Sequence, residues 1–133
     1  MSTPTADRVQ LVELGREECL QLLAANALGR IATGAAGWPP VIRPVHYVFD
    51  ERTQSVVFVS APGSKLTMLL RSNRVAFEID GWNPIERTGW SVIVVGPVEE
   101  VRGRAERERL GDGFPHLMRI RATVVTGRRI EPG

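Results

Sequence analysis

The sequence predicts a mainly β fold: a six-stranded antiparallel barrel with an N-terminal helix and two short helices. Three observations predict it. Short β-rich runs follow one another through tight turns. Only one early stretch carries extended helical periodicity. The helices are also too few to cover both faces of a parallel sheet, which leaves the closed antiparallel solution.

Residues 1–12 are polar and uneven and read as a flexible arm leading into a single domain over 13–133. A helix is expected over roughly Arg16 to Asn26. There Cys19, Leu22, Leu23 and Ala27 recur at helical spacing while Arg16, Glu17, Glu18 and Gln21 form the wet face. The runs LGRIATG (28–34), PPVIRPVHYVFD (39–50) and SVVFVSA (55–61) then read as strands of consecutive hairpins, with AAGW and DERTQ as turns. In RVAFEIDGW, Val75, Phe77 and Ile79 alternate with Ala76, Glu78 and Asp80, the period of a strand with one face in the core. GWNPIERTG reads as a loop. WSVIVVGPVEEVRG starts apolar on both faces, as a central strand does, and its Gly96 and Pro97 suggest the bend a barrel strand needs at a corner. RAERERLGDG is a short polar helix, its mixed charges a solvated face, and LMRIRATVVTGRRI reads as one last strand with Met118, Ile120, Ala122 and Val124 on one side.

The 133 residues are one domain's worth, and a net charge of +2 with no block of like charge does not indicate a nucleic-acid binder. No apolar run approaches a bilayer's thickness, and the N-terminal residues lack a basic-then-apolar secretion pattern, so the expected location is cytoplasmic. The single cysteine, Cys19, excludes an internal disulfide and reads as an inert buried thiol. The two histidines, His46 and His116, suggest no metal site.

Chemistry concentrates between the third and fourth strands. Of the 17 basic residues, Lys65 alone is a lysine, and it sits in SAPGSKLTMLLRSN, where Ser64 is a good N-cap and Pro62–Gly63 turn the chain into it. A cation in the first helical turn opposes the helix dipole unless an anion is bound there. Free N–H groups, a hydroxyl and an ammonium converging on one helix start suit a phosphate. Arg43, in VIRPVHY beside Pro44, should come near this turn through hairpin pairing and could add a planar fork to the phosphate; alternatively it pairs with an acid such as Glu78. Trp38, Trp82 and Trp90 fall at strand ends or loops, where they could cover a flat ring or pack at an interface. No nucleophile with an evident base and no paired-carboxylate set is visible, which fits a protein whose cofactor carries the chemistry.

GRIAT, PVIRPVHYVFD, VVFVSAPGSKL, NRVAFEIDGW and TGWSVIVVGPVEEV, in this order and spacing, resemble the pyridoxamine 5′-phosphate oxidase-like proteins of the FMN-binding split-barrel superfamily. MRIRATVVTGRRI is similar to the end of its short actinobacterial-type members, so the resemblance spans about Glu13 to Ile130. It implies a six-stranded Greek-key split barrel that forms a homodimer with two FMN sites at the interface. Matched position by position, it implies that Arg43, Pro44 and Val45 run along the flavin ring and phosphate. Val59 and Ser60 would line the ribityl chain, and Ser64 and Lys65 would bind the phosphate. Ser91, beside Trp90, would face the ring. The oxidases' Arg-x-His element is absent from TGRRIEPG, and the position of their substrate lysine falls near Tyr47, which argues against oxidation of pyridoxamine phosphate itself. The implied function is a flavin-dependent oxidoreductase acting on a small organic substrate or redox partner. The competing reading is a non-enzymatic barrel binding deazaflavin (F420), haem or another ligand, and the catalytic residues stay unassigned.

Overall fold

The strand alternation read in RVAFEIDGW is realised in full: Val75, Phe77 and Ile79 are buried while Arg74 and Asp80 reach solvent. The computed structural model describes residues 9–34, 37, 39–60, 74–111, 113 and 116–133. Its elements are β1 (Val9–Leu14), α1 (Arg16–Ala25), β2 (Leu28–Thr33), β3 (Val41–Asp50), β4 (Ser55–Val59), β5 (Arg74–Asn83), β6 (Thr88–Glu100), α2 (Arg104–Leu110), β7 (Leu117–Arg121) and β8 (Val124–Pro132). The expected helix opening at Ser64 lies outside the described residues.

Every strand pairing is antiparallel, in the order β1-β8-β6-β5-β2-β3-β4-β7, and a further β6–β7 pairing closes β6-β5-β2-β3-β4-β7 into a six-stranded barrel. Strand β5 returns beside β2 rather than β4, which is a Greek key. The barrel is split because two long strands serve two sheets. Strand β3 pairs with β2 from Val41 to His46 and with β4 from Tyr47 to Asp50. Strand β6 pairs with β8 through Val95 and with β7 from Val98. The change of partner on β6 falls on Gly96–Pro97, where the sequence suggests a bend. A Cβ on Gly96 would sit 1.9 Å from the Arg121 carbonyl oxygen, so only glycine permits this crossing.

Two expectations are corrected. Residues 9–12, assigned to the arm, are strand: β1 pairs with β8 from Val9↔Pro132 to Leu14↔Gly127. Five of its six residues are exposed, so the run never acquires the buried alternation that marks a strand in sequence. The final strand is two strands, broken at Ala122–Thr123, where the Thr123 N–H donates to the Arg121 carbonyl at 2.8 Å. Strand β7 belongs to one sheet and β8 to the other, and the β-prone run ATVV hides the corner between them.

Helix α1 closes one end of the core. Glu17 and Glu18 lie in its first turn, where the dipole favours acids, and Asn26 Nδ2 donates back to the Leu22 carbonyl at 2.8 Å. Cys19 and Leu23 are fully buried among Ile31, Phe58, Phe77 and Val92. Burial pushes the Cys19 thiol above its ordinary pKa, with the Glu18 charge adding to the shift, as an inert thiol requires. The Tyr47 hydroxyl donates to the Leu23 carbonyl at 2.7 Å, its ring meets Phe77 edge-on at 4.9 Å, and burial raises its pKa to about 12.

Helix α2 covers the outside of β4 and β7, with Leu110 packed on Val57, Val101 and Leu117. Ion pairs fasten it: Arg119, beneath it, meets Glu106, and Arg109 donates twice to Asp50, at 2.7 and 3.0 Å. The Arg109 bonds, reinforced by Thr53, hold the nearly buried Asp50 carboxyl at about 2, below its ordinary 3.8. A depressed carboxylate pKa stabilises the fold above the unfolded value, and that contribution is lost as pH falls from about 4 to about 2. Asp50→Asn is therefore expected to lower stability by roughly 2 kcal/mol at pH 7. Urea unfolding should show that deficit shrinking through the same pH window. No helix among the described residues is long and apolar enough to cross a membrane.

Candidate functional site

The residues expected to hold a cofactor divide into two groups. Arg43, Pro44 and Val45 occupy the half of β3 that pairs with β2, facing Ile31, Arg30 and Gly29 in register. Val59 ends β4 and Ser60 follows it, and the Ser60 N–H donates to the His116 carbonyl at 3.0 Å, carrying the β4–β7 ladder one step past Val59↔Leu117. The register that pairs Tyr47 with Phe58, continued by two residues, sets Val45 across from Ser60. Strand alternation then puts Arg43, Val45 and Tyr47 on one side of β3 and Ile42, Pro44 and His46 on the other. Ser60 is buried at 4% exposure, whereas Arg43 is exposed at the open end of the barrel. Ser64 and Lys65, expected to bind phosphate, lie outside the described residues, as does Trp38.

The alternative partner for Arg43 is excluded. Glu78 is engaged by Arg30, whose Nη1 lies 3.2 Å from Glu78 and 3.2 Å from Asp80. Arg43 Nη1 donates only to its neighbour's carbonyl, Ile42 O, at 3.0 Å, and no carboxylate among the described residues pairs with it. Among the described residues its guanidinium thus has no counter-ion at the mouth of the barrel and keeps donors for an anion.

Trp90 and Ser91 are not brought to this group. They lie on β6, three strands from β3 in the sheet, roughly 14 Å away at the usual strand spacing. As adjacent strand residues they also face opposite ways. Trp90 packs against the core, its indole over Gly81, where a Cβ would meet Nε1 at 2.5 Å. Ser91 faces outward between Asp80 and Arg128. Trp82 mirrors Trp90 on the other face: it lies over Gly89, where a Cβ would meet the indole at 2.8 Å. Each tryptophan therefore covers the glycine across the β5–β6 ladder, a packing role that accounts for both. Arg129 is tied to Glu18 and Glu131, while Arg128 is exposed with no ion-pair partner among the described residues.

One cluster escapes the sequence reading. Arg30, Glu78 and Asp80 border a groove of about 370 Å³ floored by Ala32, Ile42, Ala76 and Ile93 on the outer face of the sheet. Desolvation, and then the hydrogen bond and charge of Asp80, raise the Glu78 pKa, and Arg30 only partly offsets them. The acids at i and i+2 in FEID signal a shared face. Their arginine comes from β2, which pairs with β5 only because of the Greek key.

A family model described as pyridoxamine 5′-phosphate oxidase matches residues 15–129. An uncharacterised protein of Mycobacterium tuberculosis, Rv0080, is 34% identical over 135 residues, covering 91% of this chain and 86% of its own. The solved FAD-binding protein of Mycobacterium smegmatis is 35% identical with a TM-score of 0.75, covering 90% of this chain and 98% of its own. An FAD-binding protein of Mesorhizobium loti is 25% identical with a TM-score of 0.77, covering 92% and 98%.

Proposed function

The chain belongs to the pyridoxamine 5′-phosphate oxidase family, and from that membership we propose that it binds a flavin, FMN, and acts as a cytoplasmic, homodimeric flavin-dependent oxidoreductase on a small organic substrate. The observation that carries this reading is the free cationic fork of Arg43, set beside Val45 and Ser60 and leading into the Ser64–Lys65 segment. A flavin's phosphate is the anion these donors suit, and its ring is flat enough to lie along the strand between Pro44 and Val45. Bound there, a flavin would supply hydride and electron transfer; the chain's own residues bind and orient it. Arg43 and Lys65 neutralise the phosphate, Ser64 donates to it, and Val59 and Ser60 line the chain joining phosphate to ring. Trp90 and Ser91, too distant to join this group within one chain, contribute across the dimer or not at all.

Pyridoxamine phosphate is not the substrate under this reading. The position of the oxidases' lysine falls near Tyr47, whose ring is in the core and whose hydroxyl is committed to Leu23. That same deficit favours the alternative, a barrel that binds deazaflavin, haem or FAD without turnover. FAD has particular support because solved relatives are described as FAD-binding.

Titration of the purified protein with FMN, FAD, F420 and haemin separates these. Quenching of FMN fluorescence with micromolar or tighter affinity, followed by reduction with a nicotinamide donor and reoxidation by an acceptor, is the expected result. Absence of flavin binding sinks the proposal, and binding without turnover leaves the non-enzymatic reading.

A further inference from the structure

The row that sets Val45 across from Ser60 runs on past β4. The register of β4 and β7 continues from Val59↔Leu117 to Ser60 and His116, joined by the bond from the Ser60 N–H to the His116 carbonyl. The register of β6 and β7 continues from Glu100↔Met118 toward Arg102 and His116, and the Val101 N–H donates to the Leu117 carbonyl at 2.8 Å on the way. Val45, Ser60, His116 and Arg102 therefore stand side by side at the open end. The next row inward on the same face is Tyr47, Phe58 and Met118 of the core, followed by Glu100. One strand spacing separates His116 from Ser60 and two separate it from Val45, about 5 and 10 Å.

Glu100 is out of place in that inner row: three core residues lead up to it, and it is a carboxylate. A charge at the end of an apolar row is costly unless partners use it, and two do. Its Oε1 lies 3.4 Å from His116 Nδ1, and its Oε2 accepts from Arg102 Nε at 3.0 Å. Both oxygens are thus committed, and the imidazole is held by its Nδ1 edge. The other ring nitrogen, Nε2, has no partner among the described residues, and the His116 side chain is 31% exposed. A carboxylate on one imidazole nitrogen fixes the ring and its tautomer and presents the other nitrogen for proton exchange. His46 has no such setting: it is exposed on the opposite side of β3.

Resting on the flavin-dependent reading above, we infer that His116, oriented by Glu100, is the proton donor to the small organic acceptor reduced at this site. The acceptor gains a hydride, with its electron pair, from the bound flavin and a proton from His116 Nε2. It is reduced by two hydrogens while the flavin is oxidised, and a nicotinamide donor replaces the hydride. The imidazole keeps its Nδ1 proton toward Glu100 and recovers the Nε2 proton from water. His116 is then a catalytic residue, whereas Glu100 and Arg102 act through it as positioning residues.

Two measurements test this. Imidazole-nitrogen NMR reads the placement without turnover: with the His116 signals assigned in His46→Gln protein, titration with FMN is expected to shift them. Anaerobic single turnover reads the chemistry: FMN-loaded protein is reduced with NADH and mixed with menadione. His116→Ala is expected to slow reoxidation of the bound flavin about 100-fold, with FMN affinity within about twofold of wild type, and free imidazole is expected to restore part of the rate. Glu100→Gln is expected to slow the same step about tenfold, again at unchanged affinity, and it serves with the NMR titration if His116→Ala is misfolded by circular dichroism. Unmoved His116 signals in protein that binds FMN, or a His116→Ala rate within about twofold of wild type, overturn the inference and leave the flavin reading standing. A variant that loses FMN affinity but keeps its rate once loaded does the same. Binding of FMN with no turnover of menadione removes the oxidoreductase reading and this inference together, and absence of FMN binding removes the cofactor site as well.

Discussion

Lys65→Ala is expected to weaken FMN binding by about 10- to 100-fold, the loss of one charge-assisted contact worth roughly 1.5–3 kcal/mol. The reasoning is chemical. Lys65 follows Pro62, Gly63 and Ser64 in a chain whose other basic side chains, the histidines aside, are all arginine, and the helix start that the sequence predicts there would favour a cation chiefly when an anion shares that end. Arg43→Ala should act in the same direction, since among the described residues its guanidinium bonds only to a neighbouring carbonyl. Arg129→Ala is the control: Arg129 is already engaged by Glu18 and Glu131, so its loss should change affinity by less than about twofold. Fluorescence titration of the three variants reads the ranking directly. Equal losses for Lys65→Ala and Arg129→Ala would mean the phosphate lies elsewhere.

The largest structural effect is expected at Gly96. An added methyl would collide with the Arg121 carbonyl, which is backbone and cannot rotate aside. Gly96→Ala should therefore lower unfolding stability by about 3 kcal/mol or prevent folding, the upper range for overpacking. Gly103→Ala, where an added methyl meets nothing within 4 Å, should cost under about 1 kcal/mol. Urea midpoints for the pair measure the difference, and a Gly96→Ala protein as stable as Gly103→Ala would mean the β6 crossing is looser than described.

Much of this fold is legible in the sequence because most of its strands are half buried. Val75, Phe77 and Ile79 announce their face by period alone, and Gly96–Pro97 announces a corner. What is not legible is non-local. Strand β1 has no buried face of its own, and its partner β8 lies at the opposite end of the chain, so VQLVEL reads as an arm. The break between β7 and β8 is a tertiary demand: the two halves join different sheets although ATVV would extend as one strand. At the site, hairpin register suffices to bring Val45 to Ser60. Trp90 and Ser91, adjacent on one strand, face opposite ways by the same alternation. The Arg30–Glu78–Asp80 cluster needs the β2–β5 pairing, which no local pattern encodes.

The change of partner on β3 has a dynamic corollary. Residues Val41 to His46 pair with β2 and Tyr47 to Asp50 pair with β4, the Tyr47 N–H making the last bond to the β2 side at the Ala27 carbonyl, 2.9 Å away, so one continuous strand reports on two sheets. The second half is anchored by Tyr47 at the core, while the first half ends at the barrel mouth. Hydrogen exchange measured along β3 should therefore show a step in protection near His46–Tyr47. Ligand occupancy at the mouth should slow exchange on the Arg43 side of that step and leave the Phe49 side unchanged. A single strand thus acts as its own internal reference for whether a bound molecule sits where the cationic fork of Arg43 points.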